Sequence, residues 1–160
     1  METDFANIEG IFKTNTDIVN KAIAEVSAKD WFRQPGGDSN HLMWVTGHII
    51  WSRGNVLRAL NAEWTLPWPA LFERGVSLTD QTKYPSVDEV RSAWHEVSAK
   101  LGSSLAAAPA DFLAKSAPQG PPSLDGKISG LVAFLGYHET YHVGQISYLR
   151  KWLGYGQSVG

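Results

Sequence analysis

The residues best suited to chemistry in this chain are its five histidines, because the sequence contains no cysteine. His138 and His142 lie four residues apart in a segment with helical periodicity, so their imidazoles project to the same point on one helix face. Helices commonly hold a metal ion with histidines at this spacing. The alternative is a pair of hydrogen-bonded core histidines, but two buried imidazoles without a shared partner are costly to desolvate. The pair therefore predicts a metal site.

A third ligand is expected from the second predicted helix, where His48 has a similar mid-helix position. His41 lies in the first turn of that helix and would reach only the end of the bundle. His95 falls about 100° from the apolar face of its own helix, which predicts a boundary or exposed position. Three histidines leave at least one coordination position open, as in catalytic sites. We expect zinc or nickel, with iron, copper or manganese as alternative divalent ions.

The segment from His138 to His142 also matches the H-E-x-x-H pattern of zinc proteases, whose glutamate is a general base. Residues 143–160 contain no Asp, Glu or His to complete such a site, and no edge strand for a peptide substrate is predicted. Glu139 is interpreted either as a base close to the metal or as a plain surface carboxylate, and the sequence favours neither. A zinc hydrolase using Glu139 is thus the weakest of three functional hypotheses.

Other polar and aromatic residues are candidates for a pocket or for contacts that orient the metal ligands. Most share a helix face with His48, and one polar residue replaces an apolar residue in the stripe of the first helix. For the tryptophans, plain core packing is the favoured alternative. The candidates are Asn15, Trp44, Trp51, Ser52, Asn55 and Glu139.

Four long segments with the helical period of 3.6 residues position these side chains. The first predicted helix runs from about Asp4 to Lys29, and the second from Asp38 or Ser39 to about Ala62. The third begins with the capping box Ser86–Glu89 and ends by Pro109. The fourth runs from about Lys127 to Leu153, with Gly154 directly after it. The connection from Glu63 to Pro85 is long, and its two tryptophans predict an ordered, docked loop. The pattern indicates an all-α four-helix bundle with at least one crossover connection.

Composition narrows the remaining functional classes. A length of 160 residues predicts one domain, 1–160. A net charge of −2 with scattered basic residues argues against nucleic acid as a partner. The longest stretch without Asp, Glu, Lys or Arg is Ser39–Ser52, too short to span a membrane, and no signal peptide pattern opens the chain. We expect a cytoplasmic protein without a membrane partner.

Two sequence blocks, Trp44–Ile49 around His48 and His138–Gly154, resemble the DinB-like family, and the similarity covers essentially the whole chain. The resemblance implies an up-down-down-up bundle, often a homodimer, with a divalent metal held by three histidines. Those map onto His48, His138 and His142. It also implies a broad activity class, which includes metal-dependent transferases and isomerases that use low-molecular-weight thiols such as glutathione, mycothiol or bacillithiol. Our leading hypothesis is an enzyme in which a metal-bound thiol or water attacks an electrophilic substrate.

A non-catalytic binding or sensor module is the competing hypothesis, in which the metal site is vestigial and the function lies in dimerisation or ligand capture. It depends on a second stripe of the fourth helix beside the metal face. This stripe is interpreted either as a contact surface or as packing against a neighbouring helix of the same chain. Its members are Phe134, Tyr141, Tyr148 and Trp152.

Overall fold

The computed structural model describes residues 2–159, with side chains from residue 5 onward. Over this range the chain forms α-helices and short 3-10 turns, and contains no strand beyond an isolated bridge between Ser116 and Lys127. The all-α prediction is therefore confirmed. The α-helices are α1 Glu2–Ile23, α2 Leu42–Ala59, α3 Pro69–Phe72, α4 Val87–Ala107, α5 Ala110–Leu113 and α6 Ile128–Trp152.

The four long helices α1, α2, α4 and α6 form an up-down-down-up bundle. Contacts along α1 and α6 progress in the same direction, so these helices are parallel. Contacts between α1 and α4, and between α2 and α6, progress in opposite directions, which makes α2 and α4 parallel to each other. The pairs that set these directions are Asn15–Glu139, Ala22–Arg150, Asn20–Trp94, Ile23–Arg91, His48–His142 and Ser52–His138.

Helix α4 follows the sequence prediction closely, because its signals are local. Ser86 accepts a hydrogen bond from the Glu89 N–H, and the Glu89 side chain accepts one from the Ser86 N–H, which completes the capping box. The predicted apolar face of α4 is buried: Val87, Val90, Trp94, Val97, Leu101 and Leu105.

Helix α1 ends earlier than predicted, at Ile23 rather than near Lys29. Its last carbonyl groups are bonded by arginines from other helices instead of by further helical N–H groups. Arg91 donates to Ile23 O and Val26 O, and Arg150 donates to Ala22 O. The chain then continues as a 3-10 turn over Ala28–Phe32.

Helix α2 begins later than predicted, since neither Asp38 nor Ser39 caps it. The N-cap is His41, whose Nδ1 accepts the N–H of Trp44 at 3.1 Å. The imidazole of His41 packs edge-on against the rings of Phe32 and Tyr84. A tertiary cluster therefore fixes the start of this helix, and this could not be foreseen from local capping preferences.

The long connection after α2 is ordered and docked on the bundle, as predicted. Trp64 and Trp68 pack on the core, and Phe72 in α3 is fully buried. A Cβ atom at Gly47 would lie 2.3 Å from the Phe72 ring, so glycine at this position lets α3 approach the backbone of α2.

Helix α6 ends as predicted, with Gly154 in the left-handed region at φ 90° directly after the C-cap. Among the helices described, none combines the length and the apolar character that a bilayer span requires.

Candidate metal centre

The three histidines predicted as ligands converge between α2 and α6. Nε2 of His138 lies 3.4 Å from Nε2 of His48 and 3.2 Å from Nε2 of His142. Two nitrogen ligands in a tetrahedral zinc site are about 3.3 Å apart, given Zn–N bonds of about 2.05 Å. The spacing of these nitrogens therefore fits a single divalent cation, and the cluster could hold a metal ion.

Each imidazole meets an oxygen on its other side, at Nδ1. Nδ1 of His48 donates to the carbonyl of Phe72 at 2.7 Å, and Nδ1 of His142 donates to the side-chain oxygen of Gln145 at 2.7 Å. Nδ1 of His138 lies 3.3 Å from Ser52 Oγ. Because a carbonyl oxygen can only accept, the contacts of His48 and His142 place the proton on Nδ1 and leave the Nε2 lone pairs for a cation. The Ser52 hydroxyl can accept from Nδ1 of His138, so that contact is compatible with the same tautomer.

The protonation state of the cluster also suits metal binding. The pKa of His48 is lowered to about 4, mainly by burial and to a smaller extent by His142 and His138. Burial likewise lowers the pKa of His138 to about 4, helped by His142 and Arg74. The pKa of His142 is lowered as well, again mainly by burial. The three rings are thus neutral at pH 7, which is the form that binds a metal.

Two of the predicted pocket residues enclose the ring of His48. Trp44 stacks on one side with centroids 4.8 Å apart and planes 8° from parallel, and Trp51 stacks at 5.4 Å and 23°. Trp44 is buried and Trp51 half-buried. The indoles therefore pack in the core and, at the same time, fix the plane of a candidate ligand.

The other predicted polar residues divide between the site and its surroundings. Ser52 reaches His138, as described above. Asn55 accepts a hydrogen bond from Arg58 at 3.0 Å and is not brought to the cluster. Asn15 donates to Glu139 at 3.2 Å and to Thr140 at 3.1 Å, so it reaches α6 beside the histidines and does not contact them.

Glu139 differs from both interpretations made from the sequence. Its side chain is 1% exposed, so it is not a surface carboxylate. Arg53 donates from Nε to Oε2 at 2.7 Å and from Nη2 to Oε1 at 2.8 Å, and Asn15 also donates to Oε1. The carboxylate is committed to a buried ion pair, which removes the support for Glu139 as the base of a hydrolase.

The remaining histidines lie outside the cluster. His95 is exposed on α4, and His41 is buried at the start of α2.

Three residues important to the site were not singled out from the sequence: Arg53, Phe72 and Gln145. Gln145 lies three residues after His142, a spacing that places two side chains on neighbouring positions of a helix and could have indicated the contact. Arg53 lies inside a helix next to Ser52, and a charged residue on a buried face is a signal for a paired ion. The Phe72 contribution is the main-chain carbonyl at the end of the short helix α3, for which the sequence carries no signal.

Comparison with protein families agrees with this arrangement. Residues 11–146 match the family model of the DinB superfamily. The chain belongs to the DinB superfamily. The matched region of this DinB superfamily member contains all three clustered histidines and the Arg53–Glu139 pair. No curated protein matches the sequence significantly.

Proposed function

We propose that this DinB superfamily member is a metal-dependent enzyme, with a divalent cation held by His48, His138 and His142 and a low-molecular-weight thiol as one substrate. The observation that carries the proposal is the convergence of three neutral imidazoles without a further ligand. Among the side chains described, residues 5–159, no carboxylate or fourth imidazole joins the cluster. A site with three protein ligands keeps a position open to an outside molecule.

A divalent cation at this position would supply Lewis acidity, which favours the anionic form of a thiol or of water. The chain itself fixes the ligand rings through Phe72, Gln145 and Ser52, and it encloses His48 between two indoles. Since the sequence contains no cysteine, a sulfur nucleophile has to come from a small molecule. Glutathione, mycothiol and bacillithiol are the candidates, and zinc or nickel is the favoured cation.

The metal assignment predicts that His142→Ala abolishes stoichiometric metal binding, because two imidazoles cannot replace three. Elemental analysis of purified protein, after equilibration with zinc or nickel and dialysis, measures this. His95→Ala is the matched control, since His95 is an exposed histidine away from the cluster. Unchanged metal content in His142→Ala would refute the site.

The substrate assignment predicts thiol consumption that depends on both metal and electrophile. Metal-loaded protein is incubated with each of the three thiols and a panel of electrophiles, and loss of free thiol is measured. We expect turnover with one thiol, and none in the chelator-treated protein or in His142→Ala. Metal binding without turnover for any pair would instead favour the binding module.

The second candidate, a non-catalytic dimeric binding or sensor module, is favoured by a different observation. Phe134 packs on the core, but the rest of the predicted stripe on α6 faces outward and is joined by Tyr137. We call these four exposed residues the aromatic stripe: Tyr137, Tyr141, Tyr148 and Trp152. Exposed aromatic surface of this kind marks interaction sites, and we propose that it forms a homodimer interface in either functional class.

A further inference from the structure

A single buried side chain connects all four long helices. Arg53 of α2 is 1% exposed, and its guanidinium donates to Glu139 on α6. It also donates to Thr16 Oγ1 at 2.9 Å on α1 and to Ser98 Oγ at 2.7 Å on α4. Trp94 of α4 lies against the guanidinium with its ring centroid 4.0 Å from Cζ. The pair is thus enclosed, and each nitrogen of the guanidinium and each oxygen of the carboxylate has at least one hydrogen-bond partner.

This ion pair lies directly beside the histidine cluster. Glu139 follows His138 in α6, and Arg53 follows Ser52 in α2. The same two helices therefore make two adjacent cross-contacts, one between Ser52 and His138 and one between Arg53 and Glu139. Neither Arg53 nor Glu139 bonds a histidine. Apart from the charge of Glu139, which raises the pKa of His142 against the larger effect of burial, their influence on the site acts through the placement of the helices.

A buried ion pair is a poor means of adding stability. The desolvation of two charges offsets most of their attraction, and apolar residues of similar volume are often equally stabilising. The best-attested use of such groups is to specify register between helices. A slip of one residue moves a helix by about 1.5 Å along its axis, whereas metal ligand distances tolerate only about 0.2 Å.

We infer that Arg53 and Glu139 are positioning residues of the three-histidine site, which set the register of α2 against α6 and thereby the separation of the His48 and His138 nitrogens. The inference rests on the proposed metal function. The ion pair thus determines the geometry of the site, whereas the apolar core provides the stability of the bundle.

The test uses the full chain with Arg53→Met and Glu139→Leu combined, and with Glu139→Gln alone. Circular dichroism, thermal melting, cobalt and zinc affinities, and the visible spectrum of the cobalt form are measured. We expect the double variant to stay helical and to melt near the wild-type temperature. Its affinity for both cations falls about tenfold or more, and its cobalt bands shift, because the nitrogens are no longer held at the required separation.

Arg150→Met is the matched control, because Arg150 is a buried arginine of α6 that bonds Ala22 O on α1 and does not neighbour a histidine in sequence. It should alter melting and leave cation affinity unchanged. Wild-type affinity and spectrum in the double variant would overturn the inference, as would failure of both ion-pair variants to fold. Absence of cation binding in the wild-type protein would refute the proposed function itself, and the inference with it.

Discussion

At the scale of the residue, His41 combines two roles that depend on its being neutral. Its Nδ1 accepts the Trp44 N–H at the start of α2, and its ring lies against Phe32 and Tyr84. Burial lowers the pKa of His41 to about 4. A protonated Nδ1 cannot accept a hydrogen bond. Protonation of His41 at low pH therefore removes the N-cap hydrogen bond of α2, the helix that carries His48.

The free energy of unfolding depends on pH because His41 binds a proton more weakly in the folded chain than in the unfolded chain. Between pH 6.5 and 4 the unfolded chain binds a proton at His41 and the folded chain does not. The stability contributed by His41 is therefore complete above pH 6.5 and is lost as the pH falls towards 4. We expect His41→Asn, which retains a good N-cap, to take up nearly one proton fewer on unfolding in this range.

Urea denaturation of the metal-free protein at pH 7.5, 6, 5 and 4.5 measures this effect. All other ionisable groups are the same in wild type and variant, so the difference between the two curves isolates His41. The same pH dependence in both proteins would contradict the assignment.

At the scale of the element, the contact between α2 and α3 links packing to the metal centre. Glycine at position 47 lets the Phe72 ring lie on the α2 backbone, and the Phe72 carbonyl then accepts from His48 Nδ1 at 2.7 Å. Phe72 is fully buried, so its ring is held against α2 by the surrounding core. One glycine therefore determines whether the docked loop can orient a candidate metal ligand.

We predict that Gly47→Ala lowers stability by about 1–3 kcal/mol, because the added methyl group overlaps the Phe72 ring. It should also weaken metal binding, since His48 loses its acceptor. Chemical denaturation and metal titration measure the two effects. Gly102→Ala on α4 is the control: no atom lies within 4 Å of its added Cβ, and it should gain about 0.5–1 kcal/mol. Equal stability changes in the two variants would exclude the proposed overlap.

The predictability of each element depended on whether its signals were local. Helix α4 was predictable because Ser86 and Glu89 form its capping box within one turn. The end of α1 was not, because Arg91 and Arg150 reach it from distant parts of the chain. The start of α2 was missed for the same kind of reason, since its cap belongs to a tertiary aromatic cluster.

The candidate site shows a similar division. The His138–His142 pair and its partner His48 follow from helical spacing, so the sequence could identify the three rings. The acceptor of His48 is the main-chain carbonyl of Phe72 in α3, and the partner of Glu139 is Arg53, 86 residues earlier. Both depend on how the helices pack, and helical periodicity carries no information about that packing.

At the scale of the whole molecule, the aromatic stripe leaves the bundle with an uncovered face. Tyr137, Tyr141 and Tyr148 are 69%, 61% and 59% exposed, and Trp152 is 37% exposed. With about 200 Å² per aromatic side chain, the stripe presents about 450 Å². A stable interface buries about 800 Å² per partner, so two stripes in contact would supply more than half of one.

We predict that the protein is a dimer in solution and that Tyr148→Glu shifts the equilibrium to monomer. Contact between two aromatic stripes would bury one unpartnered carboxylate from each protomer of the variant. Sedimentation velocity between 1 and 100 µM measures the equilibrium. Lys100→Glu, an exposed change on α4, is the control and should leave it unaltered. A monomeric wild-type protein at 100 µM would rule out the stripe as a dimer interface.

The two indoles stacked on His48 also give the site an optical readout. Trp44 and Trp51 are two of the seven tryptophans in the chain, and both contact the ring of a candidate ligand. A cation with an open d shell at that imidazole, such as nickel or copper, quenches nearby indole emission, whereas zinc does not. The intrinsic fluorescence of the unlabelled protein can therefore distinguish these ions during a titration.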